Sequence, residues 1–117
     1  MTGAPRHIVE LGGHQVEDLP DDSNLYGTLD TRLDCEHVVG ILVAAGWSTR
    51  KSGFATHEFR ATRGELVLEA GEPLLLHGVL ADVLTDAARL ADVLRSAGVS
   101  FVLECYGTGG ELLAELS

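Results

Sequence analysis

Four of the eight Lys and Arg residues, Arg50, Lys51, Arg60 and Arg63, fall within fourteen positions that hold one acid, Glu58. Arginine presents a planar fork of donors to carboxylate or phosphate. This window is therefore the candidate site for an anion or an acidic partner, set against a solvated hairpin whose charges merely cluster. Trp47 stands just before it, either as an aromatic anchor for a partner or as a cap on the core. The opposite charge gathers between Glu17 and Glu36, in Glu17, Asp18, Asp21, Asp22, Asp30, Asp34 and Glu36. Such a segment suits a basic partner, and it equally suits a polar link followed by a helix N-cap.

Nucleophilic chemistry needs a Cys or Ser beside a His and an orienting acid. Cys105 with His57 or His77 is the arrangement considered, but Cys105 sits mid-strand among apolar residues, where a thiol is usually inert packing. Five histidines raise the question of a metal. Cys35 and His37 point apart on a helix, His57 and Glu58 face opposite sides of a strand, and His77 lies among leucines. His7 and His14 flank a turn. No pair has convincing ligand spacing, so neither metal nor cofactor is expected. "GTGG" at 107–110 leads into a strand rather than a helix, which makes it a hairpin turn and not a phosphate loop.

The chain has 117 residues and a net charge of −10. That length fits one domain with a real core. The charge argues against nonspecific binding to nucleic acid or to anionic membrane, both of which need basic surface. No apolar run approaches the ~20 residues of a membrane span, and the first residues lack the pattern of a signal peptide. The cytoplasm is the expected compartment. Cys35 and Cys105 then read as buried thiols rather than a disulfide.

Around these residues the punctuation predicts alternating elements. "HIVELGGHQVEDL" at 7–19 reads as a hairpin turning on Gly12-Gly13, and "LYGTLD" at 25–30 as a strand. Asp34 reads as the N-cap of a helix that Gly46 ends. That helix is nearly uncharged and is expected to be well buried, with Gly40 and Ala44 admitting a neighbouring backbone. "WSTRKSG" at 47–53 reads as a loop, "FATHEFRAT" and "ELVLEA" as a hairpin, and "LLLHGVL" at 74–80 as a buried strand. A second helix ends at Gly98. Its apolar spacing allows a start near Leu80, while Thr85 with Asp86 in the first turn gives the better N-terminus. "VSFVLECYG" and "ELLAEL" form the last hairpin.

"TRGELVLE" at 62–69 and "TGGELLAE" at 108–115 match at five of eight positions. In a chain this rich in Leu, Gly and Glu the match alone proves little. Order strengthens it, because "LYGTLDTRLD" and "LHGVLADVLT" stand ahead of the two helices and align Leu25, Gly27, Leu29 and Leu33 with Leu76, Gly78, Leu80 and Leu84. The expected architecture is α+β: two strand–helix–strand–strand units at 24–70 and 74–117, an N-terminal hairpin, and both helices on one side of antiparallel sheet.

The function expected is that of a small acidic, non-enzymatic protein that binds another macromolecule, most concretely an inhibitor or immunity-type protein with a protein partner. Arg50, Lys51, Arg60, Arg63 and Trp47 are its candidate binding residues. The alternative is a small-molecule domain with a pocket between the units, lined by Trp47, His77 and Tyr106.

Overall fold

The computed structural model describes residues 23–30, 34–53 and 55–117. The predicted hairpin at 7–19 and most of the acidic segment before Asp30 lie outside the described residues. In chain order the elements are β1 (Leu25–Asp30), α1 (Cys35–Ala44), β2 (Ser48–Lys51), β3 (Thr56–Ala61), β4 (Gly64–Glu69), β5 (Leu74–Leu80), α2 (Val83–Ser96), β6 (Ser100–Tyr106) and β7 (Leu112–Leu116). The strands form one seven-stranded sheet in the order β2-β3-β4-β5-β1-β6-β7. Every neighbouring pair is antiparallel. The expected α+β class, with both helices on one side, is what the chain adopts.

Alternation along each strand decides what lies under the helices. Leu25 and Leu29 of β1, Leu66 and Leu68 of β4, Leu74, Leu76 and Leu80 of β5, and Phe101, Leu103 and Cys105 of β6 share one buried cluster. Into it α1 contributes Val38 and Leu42, and α2 contributes Ala87, Leu90, Ala91 and Leu94. Each fully buried leucine contributes about 2 kcal/mol relative to an exposed one. Gly27 and Gly78 fall in the same inward register. A Cβ at Gly27 would stand 2.6 Å from the Leu103 side chain, and one at Gly78 would stand 2.1 Å from the Glu65 carbonyl oxygen. The two glycines make room for leucine and backbone from the strands beside them.

Both helices stop by the same device. Gly46 (φ 108°) and Gly98 (φ 78°) supply the left-handed residue. The Trp47 amide then donates to the Leu42 carbonyl and the Val99 amide to the Leu94 carbonyl, which closes the helix ends and turns Trp47 and Val99 back onto the core. At the other end of α1, the Asp34 carboxylate accepts the His37 amide at 2.9 Å, as its position before the helix predicts.

Three expectations are corrected and a fourth is not confirmed. Residues 48–51 form an edge strand rather than a loop, because the backbone from Ser48 to Lys51 pairs with Arg60 to His57. Helix α2 starts at neither Leu80 nor Thr85. Asp82 is its N-cap, accepting from the Thr85 amide, while the Asp86 carboxylate reaches back to the Asp82 amide at 2.9 Å. Helix α1 is buried on one side only, with Val43 45% exposed, and a Cβ at Gly40 would meet nothing within 4 Å. Its lack of charge marks an exposed apolar strip and not an approaching backbone.

The fourth concerns the repeat. A duplicated arrangement would give the two "GEL" strands equivalent places, yet β4 lies inside the sheet against β5 while β7 is an edge. The duplication is not confirmed. Local symmetry survives only where β1 meets β5: Leu25 lies opposite Gly78, Tyr26 opposite His77, and Gly27 opposite Leu76.

Candidate functional site

Residues that alternate with the core leucines form the sheet's second face. No described element covers it. Across β5, β1 and β6 it carries Leu75 (45% exposed), Tyr26 (46%) and Val102 (38%), with His77, Thr28 and Glu104 beside them around a depression of about 250 Å³. Tyr26 is the centre of an aromatic group. Its ring lies 6.4 Å from His77 in a stacked arrangement and 5.7 Å from Tyr106, edge on.

Polar contacts hold this group in place. His77 Nε2 lies 3.3 Å from a Glu69 carboxylate oxygen. The Tyr106 hydroxyl donates to Glu104 at 2.9 Å. That hydrogen bond, with burial and nearby carboxylates, raises the Tyr106 phenol above the ordinary tyrosine value. Towards β7 the face turns acidic, because Glu104 and Glu115 are direct cross-strand partners. Like charges in such register repel one another. Leu113, 44% exposed and in step with Glu115 along β7, continues the apolar surface to the sheet edge.

The basic window is divided by the same alternation. Arg50 and Arg60 share the open face, where Arg50 bonds Glu58 at 2.8 Å and Arg60 lies 3.3 Å from Glu65. The Glu58 carboxyl is held below its ordinary range, chiefly by its hydrogen bond from Arg50. Arg63 is in the β3–β4 turn on the helix side, and its Nε contacts the buried Asp86 of α2 at 2.9 Å. Lys51 pairs with His57 in register and so belongs to the helix side as well. The four cations therefore do not converge, and the three arginines each face a carboxylate.

Trp47 packs against the core and lines a cleft of about 310 Å³ with Arg63, Asp86 and Arg89. His77 and Tyr106 flank Tyr26 on the other side of the sheet. The three residues expected to share a pocket are separated by the sheet itself. Cys105 is kept from His57 by β4, β5 and β1, which lie between their strands, and from His77 because the two face opposite sides.

A different thiol meets a histidine. Cys35, the first residue of α1, places Sγ 3.8 Å from His57 Nδ1, and His57 Nε2 lies 3.4 Å from Glu36 Oε2. The signal was present in the sequence: His57 alternates with Phe59 and must point under the helices, and Cys35 directly follows the N-cap. Sequence reasoning paired His57 with the wrong cysteine because it weighed strand neighbours alone. Among the described residues no group of three or more His, Cys, Asp or Glu is placed to hold a metal ion, and no helix is long and apolar enough to cross a membrane.

No protein-family model fits this chain, and no curated protein or solved structure resembles it at a significant level.

Proposed function

We propose that this protein acts by binding another protein, rather than by turnover, through the open face of its sheet. The observation that carries the reading is the apolar centre of Tyr26, Leu75 and Val102, exposed and bordered by the Glu104–Glu115 pair, which no cation faces among the described residues. An aromatic anchor flanked by exposed aliphatic residues is what interface centres are made of. A partner presenting apolar residues with Lys or Arg at one side would cover the centre and neutralise the two carboxylates. The net charge of −10 favours the same basic partner through long-range steering. An inhibitor or immunity-type role is the concrete form of this reading. A reducing compartment such as the cytoplasm suits the two free cysteines.

The test is capture from native cells with the full tagged chain, in parallel with a Leu75→Asp/Val102→Asp variant and a Glu104→Lys/Glu115→Lys variant. A basic protein recovered by the parent chain and lost with both variants is the expected result. A partner retained by both variants, or no protein recovered by the parent chain, overturns the reading.

A further inference from the structure

Cys35, His57 and Glu36 form a relay that the open face does not use. His57 is buried to 7% exposure under the first turn of α1. His57 Nε2 faces the Glu36 carboxylate at 3.4 Å, and in the tautomer that carries its proton on this nitrogen the Nδ1 lone pair is left for the Cys35 S–H at 3.8 Å. Nucleophile, base and orienting acid are thereby in sequence. The thiol is also reachable. Cys35 is half-buried and contributes to a groove of about 960 Å³ whose described lining includes Asp30, Asp34, Glu72, Leu29 and Val102. Three carboxylates and no cation stand among those described lining residues. Cys105 is the internal control, fully buried in the core.

We propose that Cys35 is a covalent capture site for small amine-bearing disulfides, with His57 as its general base. The Cys35 S–H proton passes to His57 Nδ1 as Sγ attacks one sulfur of the disulfide. The disulfide bond breaks, and the departing thiolate takes the proton back from His57. The disulfide is the oxidant: one Cys35 thiol and one disulfide give one mixed disulfide and one free small thiol. Burial and the carboxylates of Glu36 and Asp34 keep the resting thiol protonated, opposed only by Lys51. Attack therefore depends on the base removing the proton. The same carboxylates, with Asp30 and Glu72 in the groove, repel an anionic disulfide and attract a cationic one. The capture is stoichiometric, and its chemistry does not rest on the partner-binding reading, although the groove shares Val102 with that face.

The experiment uses the full chain with cystamine, and with a dicarboxylate disulfide of similar size, followed by intact mass and peptide mapping. A single adduct at Cys35 is expected, formed about ten-fold faster with cystamine at low ionic strength and losing that preference in high salt. Cys105→Ser leaves the rate unchanged. His57→Gln slows it by about 100-fold, the low end of a general-base contribution, and converts a pH–rate profile that levels off below the thiol's ionisation into one that climbs through it. Should His57→Gln fail to fold, Glu36→Gln at an exposed position shifts the same profile. Reaction at Cys105 instead, a rate no faster than in the urea-unfolded chain, or a profile unmoved by either variant overturns the relay. Equal rates with the two disulfides overturn the preference for amines.

Discussion

The two faces of this sheet are written by the same strands one residue out of step, and they have opposite characters. Under the helices, Leu25, Leu29, Leu66, Leu76, Leu80 and Leu103 are at most 2% exposed. On the other side, Tyr26, Leu75, His77, Val79, Val102 and Glu104 alternate with them and remain in contact with solvent. The inner set holds the fold together and has no ligand to choose. The outer set contributes little to stability, so its apolar residues call for another explanation. A shift of one residue in any strand's register would exchange the two sets.

That contrast can be broken most forcefully from the inside. Leu103→Ala removes a fully buried side chain opposite Gly27 and is expected to cost about 3–4 kcal/mol in urea unfolding. A loss below 1 kcal/mol would mean the inner face is not the core. Asp86→Ala should cost about 2 kcal/mol. The variant removes one carboxylate partner of Arg63 and the acceptor of the Asp82 amide, and the figure is below that of a fully buried pair because Arg63 is partly solvated. A double-mutant cycle with Arg63→Ala then isolates the coupling energy of the pair.

On the outer face, Val102→Asp is expected to change stability by no more than about 0.5 kcal/mol, while abolishing capture of the partner. A large loss of stability there would show the face to be covered by the chain itself. The smallest expected effect is at Tyr106. Its phenol is raised in the folded state, so the associated stabilisation is complete below the ordinary tyrosine value near 10 and is lost as pH rises through the raised value. Absorbance titration should show one tyrosine ionising late, and Glu104→Gln should return it toward the ordinary range.

Features fixed within a few neighbouring residues were legible in the sequence. Asp34 and Gly46 bound α1 because capping and left-handed conformation are local requirements, and "LLLHGVL" is β5 from Leu74 to Leu80. What depended on partners distant in the chain was not legible. Ser48–Lys51 looks like a polar loop until β3 offers it an edge. The basic window looked like one patch because proximity in sequence hid the fact that alternation sends Arg50 and Lys51 to opposite sides. The start of α2 was missed by three residues because Asp82 and Asp86 cap it reciprocally, and Thr85 offered a plausible local substitute.

The place of β1 has a consequence for the order in which the molecule can be assembled. Leu25 pairs with Gly78 on one side and with Cys105 on the other, so the first described strand is completed only by two of the last. The meander from β2 to β5 can zip up between neighbours in sequence, whereas β1 must wait for the later strands on both flanks. Such distant closures are slow relative to local ones. During synthesis, β1 therefore leaves the ribosome long before either of its partners: one flank stays unpaired until β5 emerges and the other until the C-terminal hairpin does.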